Sequence, residues 1–289
     1  VNEDGTSYLD DFEGAETPFS LGGFNNTTWR LAATPAPLAQ GQGLQYAYNR
    51  ARVAWYTIDQ IFYRDSEGLR PSNINDEELS NHYVRPVPRY EVFPGRDREI
   101  ANAYEYTFDV AYYPQERGQY NYNPSLDGQG RLQNDPRKNW GGISREITFD
   151  TDFDNANVEY VEFWLMDPFL TGPKGRKDAN GNPITSNDGG ELVINLGNVS
   201  EDILKDNRYS FENGLPTSAT DNQNLQTTEW GRVTTQQFLT DAFSAVPGAR
   251  GFQDIGLDGL GDNAEREFFQ NTFLGRIPGG APQVVLADP

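Results

Sequence analysis

The sequence predicts a mainly β protein: an antiparallel β-sandwich with a large loop-rich insertion and a few short helices. Three observations carry that prediction. Segments of strand length, rich in aromatic and β-branched residues, recur along the chain and are bounded by Gly, Pro, Asn and Asp. The 29 Gly and 18 Pro in 289 residues exceed the roughly 12% of average usage, as a turn-rich fold requires. Helix-start signals are few, and each opens only a short run.

The strand candidates, in order, are 6–13, 27–32, 43–48, 51–57, 103–112, 142–149, 157–166 and 190–197. In 157–166, Tyr160, Val161, Phe163, Trp164 and Leu165 nearly fill both faces, the pattern of a central strand covered on two sides. Leu192, Val193, Ile194 and Leu196 repeat that pattern, so these two segments are expected to hold the core, and Trp164 to be among its anchors. Helix starts are read at Asp76 before Glu77-Glu78-Leu79, from its acidic first turn. Three further starts come from capping-box spacing at Asn198–Glu201, Thr234–Gln237 and Asp262–Glu265. Long loops are expected at 114–139, 170–189 and 212–229, lengths that in compact domains usually accompany function or mobility. The domain reading places the first part of the sandwich at 1–50, the insertion at 51–138, and the remainder with its C-terminal loops and short helices at 139–289.

Composition removes several classes of function. With 23 Lys+Arg against 43 Asp+Glu, the chain carries a formal charge of −20. Such a surface repels phosphates, so nucleic acid is not an expected partner. The absence of Cys excludes disulfides, thiolate nucleophiles, Cys-ligated zinc and iron–sulfur clusters, and leaves the redox compartment open. No apolar run approaches the ~18 residues of a spanning helix. The chain opens on Val1 rather than Met and shows no signal peptide, which reads as a piece of a longer polypeptide. A 13% aromatic content argues against an acidic disordered chain.

Catalytic chemistry finds little purchase. His82 is the only histidine and is read as structural, at the end of a short helix. The glycine pairs 41/43, 128/130 and 259/261 lack the rest of any phosphate-cradling motif. Paired carboxylates could hydrolyse a glycosidic bond, but with 43 acids proximity alone means nothing. No catalytic residue is therefore assigned, and the chain reads as non-enzymatic. Calcium is the one cofactor the acids could serve, because it takes hard oxygen donors from short loops. Asp254 and Asp258 stand four apart among glycines, and Asp11 and Glu13 sit on the first strand; in each case the competing reading is a solvated surface. The run Tyr112–Pro124 has the composition of a recognition loop, rigid Tyr with Asn and Arg, and Tyr113, Arg117, Tyr120 and Tyr122 are its candidate ligand or partner contacts. Its alternative is a loop pinned by its own aromatics, with Glu116 and Arg117 in structural hydrogen bonds.

Seven pieces occur in a fixed order: Tyr8–Gly14, Ala111–Asn123, Trp140–Ile143, Tyr160–Phe169, Leu196–Asp206, Glu212–Pro216 and Asp254–Gly259. Together they resemble the SprA/Sov family of cell-surface proteins, the outer-membrane translocon of the type 9 secretion system, which is also tied to gliding motility. The resemblance runs over essentially the whole chain. It implies a very large parent β-barrel in the outer membrane of a Gram-negative bacterium. The rest of that barrel, other secretion subunits and secreted cargo would be the partners. The acidic, loop-rich composition then implies an aqueous part of that protein, shaping the pore or its mouth, with no membrane span of its own. A more distant likeness concerns fold: Asp10–Gly14, Trp140–Ile143 and Asp152 before Val158–Leu165 are similar to the strand order of galactose-binding-like jelly rolls. Modules of that kind often carry calcium near the first strand, which makes a calcium-dependent carbohydrate-binding sandwich the alternative function.

Overall fold

The structure is a computed structural model that describes residues 21, 28–39, 41, 43–63, 70–95, 104–148, 151–156, 158–178, 181–184, 189–197, 199, 216–221, 224–228, 231–235, 244–253 and 262–287. Among these, the chain forms short strand pairs and short helices, a β-rich architecture with no helical bundle. The strands are β1 (Trp29–Leu31), β2 (Ala51–Tyr56), β3 (Val87–Pro88), β4 (Tyr104–Glu105), β5 (Asp109–Arg117), β6 (Ile143–Arg145), β7 (Leu225–Thr228) and β8 (Gly231–Thr234). They join as two-stranded ribbons, β1 with β6, β2 with β5, β3 with β4 and β7 with β8. The β3–β4 pair is antiparallel, with Val87 opposite Glu105. So is β7–β8, where Leu225 faces Thr234 and Thr228 faces Gly231. The helices are α1 (Asp76–Leu79), α2 (Arg89–Val92), α3 (Arg250–Gln253), α4 (Asp262–Thr272) and α5 (Gln283–Ala287).

Two compact units emerge. The first comprises Val1–Trp29, Trp55–Val110 and Arg145–Leu192; the second comprises Arg30–Ala54, Ala111–Ser144 and Val193–Pro289. Every buried apolar side chain among the described residues belongs to the second. Its core joins Leu126, Leu132, Phe273, Ile277 and Val285, with Tyr122, Phe269, Leu274 and Ala281 packed around them. α4 brings Phe269 to this core, and Phe273, the residue after its last turn, follows with its N–H donating to the Phe269 carbonyl (3.0 Å). The Phe273 ring is fully buried, worth about 1.5–3 kcal/mol in area alone. Gly130 lies in the left-handed region (φ +78°), and a Cβ there would come within 2.7 Å of the Val284 side chain, so the turn between Leu126 and Leu132 needs glycine.

The first unit is tied by polar contacts. Asn75 caps α1 by accepting from the Glu78 N–H, and the Glu78 carboxylate reaches back to the Asn75 N–H, a capping box one residue upstream of the acidic start read from the sequence. The loop 168–177 docks on that helix: the His82 N–H donates to the Lys174 carbonyl (2.8 Å), and the Lys174 ammonium donates to Ser80 Oγ (2.5 Å). Tyr83 Oη donates to the Pro168 carbonyl, and Arg85 meets Glu91 with both nitrogens. Beyond the docked loop, Lys177 pairs with Pro183 at the base of a turn.

Several expectations are corrected. The segment 43–48 is a 3-10 turn (Gly43–Ala47) rather than a strand, because Gly41 and Gly43 take positive φ and break the extended path. Thr234 ends β8 instead of opening a helix, and β7 falls inside the expected loop 212–229. The largest correction concerns 157–166 and 190–197. Their described residues run in no strand pair, and Phe163, Trp164, Leu192 and Ile194 are exposed, Trp164 by 75%. A two-sided apolar pattern records what a strand buries once a neighbour lies on each edge; among the described residues none does, so these side chains face solvent. The candidate element at 6–13, and that at 198–201 apart from Val199, lie outside the described residues.

Candidate functional site

The Tyr-rich run and the Trp140 segment converge within the second unit on one pinned platform. β5 continues through Pro114 because in a two-stranded ribbon a proline costs no ladder bond on the open edge. At its end the Gly118 N–H donates to the Arg50 carbonyl (3.1 Å), and a Cβ at this position would lie 2.4 Å from the Ala51 carbonyl oxygen. Only glycine allows that approach. The chain then turns through Tyr120 at φ 58°, a left-handed residue other than glycine.

Two asparagines fix the turn. Asn121 is fully buried; its Nδ2 donates to the carbonyls of Arg50 (2.6 Å) and Tyr48 (3.0 Å), and its Oδ1 accepts from the Asn123 N–H. Asn123 repeats the device, accepting from the Ser125 N–H and donating to the Tyr48 carbonyl. A third amide, Asn139, donates to the Pro114 carbonyl (2.6 Å), while Tyr112 Oη donates to the Asn139 carbonyl (2.7 Å). Each amide satisfies backbone groups that a ribbon of two strands leaves over.

Arg50 closes the platform. It is fully buried, donates to the Ala32 carbonyl (2.6 Å) and lies 4.7 Å from the Trp140 ring centre. Burial draws its guanidinium down to about 10, which keeps it protonated at neutral pH. Trp140 is buried beneath it and pairs with Asn49 and Ala51 through its own backbone.

The predicted contact residues separate here. Tyr122 stacks on Phe269 (4.5 Å between ring centres) and meets Phe273 edge-on, while Arg117 lies over Phe273 and donates to the Asn121 carbonyl. Both serve the core, and Tyr120 serves the turn. Tyr113 faces outward, with the Arg52 guanidinium 5.5 Å from its ring centre and Arg52 paired to Glu116 at 2.9 Å. Arg52 and Glu116 complete an exposed Tyr–Arg–Glu group whose members the sequence reading did not join, because Arg52 and Glu116 lie 64 positions apart. Asp254, Asp258, Asp11 and Glu13 lie outside the described residues. Asp178, before the turn to Asn182, accepts from the Asn182 N–H and side chain. Among the described residues no group of three or more His, Asp or Glu side chains could hold a metal, and no helix is long and apolar enough to cross a membrane.

No protein-family model and no curated protein matches the chain.

Proposed function

We propose that the chain is a non-enzymatic, water-facing segment of a very large outer-membrane protein translocon of the type 9 secretion and gliding-motility kind, which shapes the pore or its mouth and meets cargo or partner subunits. The observation that carries this reading is the use to which the resembling residues are put. Gly118, Asn121 and Asn123 in one piece, and Trp140 in another, spend their polar and ring groups on backbone and packing. Residues so used specify a rigid shape, and a rigid shape is what a passage for folded cargo needs from its walls. The acidic surface keeps such a passage hydrated and repels cargo of like charge. The finer fold that goes with this reading is the jelly-roll sandwich, which is completed only when strands are supplied to 158–166 and 190–197.

The test replaces Tyr113 and Arg52 by Ala in the parent protein in its own bacterium. Cargo export to the medium is expected to fall while the amount of translocon in the outer membrane stays constant. Unchanged export, together with saturable binding of envelope polysaccharide by the chain that a chelator abolishes, would favour the calcium-dependent carbohydrate module instead.

A further inference from the structure

We infer that the exposed face of the β2–β5 ribbon docks an acidic segment of a partner protein. Charge is the first observation. Residues 30–54 and 111–144 carry seven Lys or Arg and three Asp or Glu, an excess of four positive charges in a chain whose total is −20. The remainder of the chain therefore carries −24. A reversal of sign confined to the segments that build the platform is a local field, and such a field selects a partner of opposite charge. The acidic remainder repels the same partner, which leaves the platform as its docking place.

Geometry gathers the cations around β5. Glu116 pairs with Arg52 of β2 at 2.9 Å and stands opposite Arg131 in an antiparallel bridge. Residues so opposed send their side chains to the same side, so Arg52, Glu116 and Arg131 form a row on one exposed face. The chain after Arg131 stays beside β5: the Leu132 N–H donates to the Gln115 carbonyl (2.9 Å) and Asn139 Nδ2 to the Pro114 carbonyl (2.6 Å). Between those two anchors it carries the exposed Arg137 and Lys138. Each of the three acids is already taken, Glu116 by Arg52, Asp127 by Arg131 and Asp135 by Arg137. Arg52 gives its acid only Nη1 and Arg131 only Nε, and the other N–H groups of these two make no hydrogen bond among the described residues. A guanidinium held in position with donors to spare suits a carboxylate, and holding it beforehand lowers the ordering cost of binding. Tyr113, exposed against Arg52, adds the amphipathic ring that such contacts favour. The inference rests on the reading of Tyr113 and Arg52 as a contact face and adds the chemistry of what they meet.

The experiment titrates the full chain with capped nine-residue peptides alternating Glu–Ser and Gln–Ser, and with dextran sulfate. Glu–Ser is expected to bind about tenfold tighter than Gln–Ser or better, although the chain as a whole repels it, and to weaken as salt is raised. Arg52→Gln with Arg131→Gln should lose about tenfold in affinity. Arg85→Gln with Lys177→Gln, the same change of charge in the first unit, should leave it unaltered. Equal binding of Glu–Ser and Gln–Ser, or equal losses in the two double variants, would overturn the inference. So would dextran sulfate binding that needs Arg52 and Arg131 while Glu–Ser does not bind, which would make the face a site for anionic polysaccharide. A fall in export for the Tyr113 and Arg52 variant without Glu–Ser binding would overturn this inference and leave the translocon reading standing. Binding with unchanged export would uphold it and strike that reading instead. The peptide comparison on the unaltered chain decides the matter even if a variant fails to fold.

Discussion

Removing the Phe273 ring would leave a void between Leu126, Ile277 and Val285, whose neighbours are fixed by α4 and the Asn121 turn. Phe273→Ala is therefore expected to cost about 3–5 kcal/mol in denaturant unfolding. The Trp164→Ala change belongs at the other extreme: with that ring exposed, the chain alone should lose no more than about 0.5 kcal/mol. A Trp164→Ala loss as large as that of Phe273→Ala would restore the sandwich core in the isolated chain. Tyr63 supplies a pH signature. Burial first, then the neighbouring Asp109 and Tyr56, push its phenol up to about 12, and its hydroxyl donates to the Val84 carbonyl. An acid whose folded pKa is raised adds stability that is complete below its ordinary value of about 10 and is lost as pH rises through the folded one. Unfolding followed from pH 9 to 12 should show that loss, and Tyr63→Phe should flatten it.

Among the elements, the most exacting approach is that of Gly118 to β2. Gly118→Ala drives a Cβ into the Ala51 carbonyl, a backbone atom with no room to yield, and is expected to destabilise by about 1–3 kcal/mol or more. A loss of protection at the Ala51 and Gly118 amides in hydrogen exchange would locate the damage. β1, β2, β6, α1, α4 and the start of β5 were legible because their signals are local: alternation in Ala51–Tyr56, an acidic first turn at Asp76, capping-box spacing from Asp262 to Glu265. The platform was half legible. The composition of Tyr112–Pro124 announced a loop with its own chemistry, but no spacing rule says that Tyr122 turns inward onto Phe269 while Tyr113 turns outward onto Arg52. That choice depends on residues some 150 positions away. The failure at Phe163 and Trp164 has the same root. Periodicity reports how a strand would use a neighbour, and nothing in the run 158–166 reports whether the neighbour is there.

For the molecule as a whole, the buried apolar side chains among the described residues lie in the second unit, while the described part of the first is tied by ion pairs and hydrogen bonds that are largely open to solvent. Exposed pairs contribute about 0–1 kcal/mol each, so the first unit should open more readily. Hydrogen exchange at neutral pH is expected to protect the amides of Asn121, Leu132 and Phe273 by factors far above those of Ser80, His82 and Arg85; equal protection would mean that the two units open together. The interleaving of the units also bears on biosynthesis. The cluster that seals the second unit joins Leu126 and Leu132 to Phe273, Ile277 and Val285. A ribosome adding about 5–20 residues per second takes roughly 8–30 s to travel from one set to the other. Throughout that interval the nascent chain already carries the apolar run Phe163–Met166, while the residues that will close the second unit's own cluster are still to be made.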